Sequence, residues 1–184
     1  MKILAVLVVG TMLGILATRL TLLHQPPGTI TNGPWSTSLT NGSAQSDPYR
    51  RAMVAIHGLF ALNRSEAIYY SANADSDGRP LDGDCRYAIS GRDPDARWWS
   101  ITAYRDDYLI PNPAHRYSVS KTAIARDASG GFTVQVGGDA GGDNWIPVGP
   151  GRFSLSLRLY NPGPSVLSDP AHADLPALKK VSCS

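Results

Sequence analysis

Cysteine is scarce in this chain: two in 184 residues, Cys85 in mid-sequence and Cys183 next to the last position. A chain end frays unless something ties it down, which makes Cys183 an odd place for a core thiol. In an oxidising compartment the simplest pairing is a Cys85–Cys183 disulfide that pins the tail, whereas in a reducing one both remain thiols. The bridge would close a loop of about 100 residues, worth about 4–5 kcal/mol by chain entropy, and would leave no cysteine nucleophile. An excess of one charge sign is also missing. Lys2 and Arg19 fall in the first 23 residues, so the remainder carries 15 basic against 15 acidic side chains, and they are interspersed. Nucleic-acid binding needs a basic face, so that partner class is excluded. Heptads and internal repeats are absent as well.

Chemical motifs are equally sparse. His24, His57, His115 and His172 never stand at i,i+4 or i,i+2, the local spacings of a metal site, so neither a metal nor a cofactor is predicted. There is no Gly-x-Ser-x-Gly elbow for a serine nucleophile. Gly137-Gly138 and Gly141-Gly142 lack the Gly-Lys-Ser/Thr ending of a phosphate loop and suit a turn. Asp106-Asp107 and the Asp93, Asp95 pair have the local composition of turns.

What the chain does have is an apolar leader. Met1-Lys2 precedes a nearly unbroken apolar stretch from Ile3 to Leu23, and 21 helical residues rise about 30 Å, the thickness of a bilayer's hydrocarbon core. A cleaved secretory signal has a shorter apolar run and a small-x-small site. The run continues past Ala17 and Thr18–Leu23 offers no such pair, which favours a retained helix. Arg19 lies near one end, where its side chain reaches the headgroups. Lys2 and the terminal amine place the N-terminus in the cytoplasm and the domain outside.

The rest divides into a linker and one domain. Residues 24–45, rich in Pro, Gly, Thr, Ser and Asn, predict a juxtamembrane linker, with Trp35 docked on the domain. Residues 46–184 suffice for a single domain with a proper core. Asp47 can cap a helix with Pro48 at its first position, and Tyr49, Met53, Ile56 and Phe60 recur at helical spacing as one buried face, ending near Asn63. From Ser65 the period becomes two. Strands are predicted around Ala67–Ser71, Cys85–Ile89, Trp98–Tyr104, Tyr117–Val119, Phe132–Val136 and Phe153–Leu159, the second and third joined as a hairpin by Gly91–Asp95. Half-apolar strands must bury one face, so the fold class is mainly β: a β-sandwich with one N-terminal helix after a transmembrane helix.

Six motifs, in order, carry a resemblance. They are Asp47-Pro48-Tyr49, Ser65-Glu66-Ala67-Ile68-Tyr69, Cys85-Arg86-Tyr87, the run Ala96–Tyr104, Asn144-Trp145-Ile146-Pro147 and Leu157-Arg158-Leu159-Tyr160. Over about Trp35 to Cys183 the chain resembles the bacterial family called domain of unknown function 1214. The resemblance implies a jelly-roll-type sandwich and, for short members, an N-terminal membrane helix and a cysteine near the C-terminus. It also implies a companion, domain of unknown function 1254, supplied here by a separate protein. No catalytic residue carries over.

The notable cluster is aromatic and cationic: Trp98, Tyr104, Trp145, Arg158 and Tyr160, with Glu66 nearby. One reading is structural, Arg158 pairing with Glu66 or a carbonyl at the sandwich edge. The other is a surface that receives a sugar, lipid headgroup or protein segment through stacking and an arginine fork. The sequence therefore predicts a single-pass protein of the bacterial inner membrane, held in lipid by residues 1–23 with a periplasmic domain. It favours a non-enzymatic binding or assembly module acting with the companion. The alternative is a hydrolase or other enzyme on an envelope glycan or lipid, its site completed by that partner.

Overall fold

The computed structural model describes residues 2–23, 28–40, 42–56, 62–138 and 141–183. It begins with helix α1, Lys2–Leu23. Strands β1 (Ile30–Asn32) and β2 (Trp35–Thr37) precede helix α2 (Pro48–Ile56). Then come β3 (Ala67–Ala72), β4 (Cys85–Gly91), β5 (Ala96–Arg105), β6 (Tyr108–Leu109) and β7 (Ser118–Ser120). The chain closes with β8 (Phe132–Val136), β9 (Trp145–Ile146), β10 (Ser154–Pro162), helix α3 (Pro164–Ser168) and β11 (Ala177–Cys183).

The fold is mainly β, as its alternating strands predict, and its strands form two sheets. The larger has the order β1-β2-β3-β10-β5-β6, with β7 also on β5; the smaller runs β11-β4-β8-β9. Both bury their alternate residues in one core. Ile68 and Tyr70 of β3, Trp99 and Ile101 of β5, and Leu155, Leu157 and Leu159 of β10 come from the large sheet. Tyr87, Ile89, Phe132, Val134, Val136 and Leu178 come from the small one. Trp99 stacks on Phe132 with ring centroids 4.9 Å apart, joining β5 to β8 across the sandwich. Each such large side chain contributes about 1.5–3 kcal/mol by leaving water.

Three expectations need correction. Residues 24–45 are not simply a linker: β1 and β2 form a hairpin that pairs with β3 through Ser36 and Ser71. Trp35 is only 1% exposed, and its indole N–H donates to the Pro176 carbonyl at 2.7 Å. That buried anchor recruits a segment whose Pro and Gly content suggests no sheet. Next, β4 and β5 are not a hairpin. β4 pairs with β8 and β11, and β5 with β10, β6 and β7. The corner between them crosses from sheet to sheet, fixed where Asp95 accepts bonds from the N–H and hydroxyl of Ser165. Gly163 is obligatory there, since an added Cβ would lie 1.9 Å from the Asp95 carboxylate. Finally, the two described side chains of the predicted α2 stripe are not buried: Tyr49 is 51% and Ile56 67% exposed. The side chains of Met53 and Phe60 and the stretch 57–61 lie outside the described residues.

The edges are managed locally. β11 is an edge strand with Lys179, Lys180 and an irregularity between Lys180 and Ser182, features that discourage sheet-to-sheet association. Its last register pair is Cys183 with Cys85, and those two residues form the disulfide. The loop before β4 is held by Asp75, whose carboxylate accepts bonds from the N–H groups of Asp77 and Arg79 and from the Arg79 guanidinium. Burial opposes ionisation of Asp75, but these bonds outweigh it and hold the carboxyl below the ordinary range. Burial pushes the Tyr70 phenol up to about 12, and its hydroxyl donates to the Pro170 carbonyl at 3.0 Å.

Candidate functional site

Strand parity builds the candidate site. Because Leu155, Leu157 and Leu159 point into the core, Ser154, Ser156, Arg158 and Tyr160 of β10 point outward. By the same rule β5 turns out Trp98, Ser100, Thr102 and Tyr104, and β3 turns out Tyr69 and Ser71. Register then fixes the neighbours: Tyr160 opposes Trp98, Arg158 lies between Tyr69 and Ser100, and Ser156 lies between Ser71 and Thr102. β7 extends the surface with Ser118 opposite Thr102 and Ser120 opposite Ser100. The result is a sheet face of small hydroxyls with aromatic rings near its ends.

The rings and the cation make specific contacts. Trp98 and Tyr160 lie with centroids 5.4 Å apart and planes tilted by 58°. The Arg158 guanidinium reaches toward the other end, donating from Nη1 to Thr102 Oγ1 at 3.3 Å and from Nη2 to Tyr104 Oη at 2.5 Å. Its Cζ also sits 5.3 Å from the Tyr104 ring centroid, in cation–π range. Ser100 and Thr102, although outward-facing, are roofed by these larger neighbours and are only 6% and 5% exposed. Burial raises the Tyr69 phenol, while a backbone bond at Leu62 and the nearby Arg158 charge act the other way.

One feature of this face is electrostatic. Arg158 is the only charged side chain among the outward register positions of β2, β3, β10, β5 and β7. It is half-buried, and among the described residues its partners are neutral hydroxyls and a ring. The predicted Glu66 pairing is not formed: Glu66 is exposed at the start of β3, where its carbonyl accepts from the Asn161 N–H. A guanidinium offers five donors, so two hydroxyl bonds leave Arg158 with capacity for an incoming acceptor.

The structure brings together Trp98, Tyr104, Arg158 and Tyr160, but not Trp145. That residue lies in β9 of the small sheet, half-buried, with its indole N–H donating to the Gly137 carbonyl at 3.2 Å. Tyr69 and Thr102 complete the group and were not singled out from sequence; their signal is the same two-residue period that exposes Tyr104. The remaining candidates are structural. Asp106 and Asp107 turn the β5–β6 hairpin with φ of 49° and 66°, as a mirror-image hairpin turn requires. Asp93 accepts from Trp99 Nε1 and from Arg126. His172 pairs with Asp169, and His115 is exposed at a turn; His24 and His57 lie outside the described residues. Among the described residues no three His, Cys, Asp or Glu side chains converge as metal ligands would.

A mainly-β, two-sheet body behind an apolar helix is the class these observations define. The chain belongs to the family described as protein of unknown function (DUF1214), whose model matches residues 66–164. That match runs from the start of β3 to the start of α3 and includes the whole hydroxyl-rich face from Tyr69 to Tyr160. Among solved structures the chain is similar to the VPA0106 protein from Vibrio parahaemolyticus, at 24% identity and a TM-score of 0.60. The alignment covers 75% of this chain but 36% of that one, so the chain spans about a third of its relative's length. An uncharacterized protein from Burkholderia cenocepacia matches at 13% identity and a TM-score of 0.42, over 65% of this chain and 30% of that one. No curated protein matches.

Proposed function

We propose that this is a membrane-tethered binding module of the bacterial envelope, with the outer face of the large sheet as its docking surface. Residues 1–23 act as a retained anchor with a cytoplasmic N-terminus, and the sandwich stands in the periplasm. Two features support the location. None of the Lys2–Leu20 segment is buried against the domain, so its apolar surface needs lipid rather than a core. The Cys85–Cys183 bridge suits an oxidising compartment. The partner in this reading is a companion domain-1254 protein.

Arg158 is the observation that carries the docking surface. A half-buried cation on a face without a carboxylate is completed by an acidic group brought from outside. An enzymatic role on an envelope glycan needs carboxylates set across a cleft, whereas Asp93 and Asp95 are each engaged in local bonds.

The test is Arg158→Gln in the intact, membrane-extracted protein, with recovery of the companion measured by quantitative mass spectrometry. Removing a central arginine from an interface costs about 2 kcal/mol or more, so recovery is expected to fall at least about tenfold. The melting temperature should stay within about 3 °C, because the glutamine amide keeps a donor for the neutral hydroxyls of Thr102 and Tyr104. A melting temperature lowered by about 10 °C, with recovery per folded molecule unchanged, would make Arg158 a structural residue and end the proposal.

A further inference from the structure

The helix α2 carries apolar side chains that, among the described residues, the sandwich does not cover. Tyr49 and Ile56, seven residues apart and so on nearly the same side of the helix, are 51% and 67% exposed. The same helix contains Arg50 and Arg51 and no acidic residue. Arg51 folds back, donating from Nε to the Ser46 carbonyl at 3.0 Å and from Nη2 to the Ala44 carbonyl at 2.7 Å. Those bonds brace the start of the helix, and the Arg51 N–H also closes its first turn on the Asp47 carbonyl. The helix is therefore held at its N-terminus while Tyr49 and Ile56 are left uncovered. Leu62, beyond it, is 41% exposed.

Chain geometry says what lies beside it. α1 ends at Leu23 and β1 begins at Ile30. Seven Cα-to-Cα steps span at most about 25 Å, so an anchored α1 keeps β1 within that distance of the lipid surface. α2 also approaches α1 directly. A tyrosine and an isoleucine on one side, arginines on the helix and no acid make the composition of an interfacial helix.

We infer that α2 lies in the headgroup layer of the membrane that holds α1, with Tyr49 and Ile56 inserted into lipid. The occupant of its apolar side is the bilayer surface. The short tether and this second contact fix the orientation of the sandwich, so that the large-sheet face is presented at a set height above the membrane. This rests on the reading of α1 as a retained anchor.

The test uses the full chain in liposomes of phosphatidylethanolamine and phosphatidylglycerol. Both native cysteines are in the disulfide, so a single introduced cysteine carries a spin label alone. Leu13→Cys, Tyr49→Cys, Ile56→Cys and Lys179→Cys are compared by accessibility to oxygen and to a water-soluble nickel chelate. Leu13 should be reached by oxygen and not by nickel, and Lys179 the reverse. Tyr49 and Ile56 should favour oxygen over nickel by at least about threefold relative to Lys179, at a depth of about 5–10 Å below the phosphates. If Leu13 behaves as a bilayer position while Tyr49 and Ile56 match Lys179, the interfacial helix is wrong and the anchor stands. If both α2 labels are shielded from both reagents, protein covers them and the lipid assignment is overturned. If Leu13 itself is open to nickel, the anchor reading fails and takes this inference with it.

Discussion

Loss of the Cys85–Cys183 bridge lowers stability by about 4–5 kcal/mol and the melting temperature by about 8–20 °C. The two cysteines are 98 residues apart in sequence, so the cross-link removes a large share of the freedom of the unfolded chain. The folded side of the balance changes little. Cys85 is half-buried and Cys183 exposed, and neither leaves a buried polar group when replaced by serine. A local effect accompanies the global one. β11 is an edge strand with one fully buried side chain, Leu178, and its end beyond the irregularity near Val181 is exposed. In the Cys85→Ser/Cys183→Ser variant the amides of β11 should lose protection from hydrogen exchange before those of β4. Equilibrium urea unfolding of the variant and of the oxidised parent measures the global term. A difference under about 1 kcal/mol would mean that the reduced unfolded chain is already restricted, and that the cross-link does not act through its freedom.

Trp99→Ala should destabilise by about 3–5 kcal/mol, the range for deleting a buried tryptophan. Trp99 has no exposed surface and stacks on Phe132, so it fills the space where β5 and β8 face one another. Its N–H donates to Asp93 Oδ1 at 3.2 Å, and Arg126 Nη2 holds both oxygens of the same carboxylate at 2.9 and 3.0 Å. Truncation therefore opens a cavity between the sheets and weakens the corner that carries the chain across them. Trp99→Phe keeps most of the packing and loses the donor, so about 1–2 kcal/mol is expected. Urea midpoints at constant slope would register both changes. Equal effects for the two variants would place the energy in the Asp93 bond rather than in the packing.

Legibility of this fold followed burial. β10 is plain in sequence because leucines occupy every second position and the other side is polar, the pattern of a half-buried strand. β11 lacks that pattern, since an edge strand with one core residue need not alternate. β1 and β2 are three residues each and are held by Trp35 and by pairing to β3, neither of which is local. The turn between β4 and β5 has ordinary turn chemistry, and nothing in Gly91–Asp95 says whether the next strand joins the same sheet. In α2 the periodicity is genuine, but an apolar side looks the same whether protein or lipid covers it.

The candidate face was legible by half. Alternation puts Arg158 and Tyr160 on one side of β10 and Trp98 and Tyr104 on one side of β5. Only the register between those strands shows that Arg158 meets Thr102 and Tyr104 instead of Glu66. Trp145 has the same motif-level signal as the others, yet its strand pairs with β8 in parallel and belongs to the other sheet.

Protease treatment of right-side-out spheroplasts bears most directly on the tethered, outward-facing body. External protease should release or degrade the sandwich before lysis, leaving a stump that contains residues 2–23 in the membrane fraction. Full-length protein that resists until the membrane is broken would put the domain on the cytoplasmic side and contradict the account.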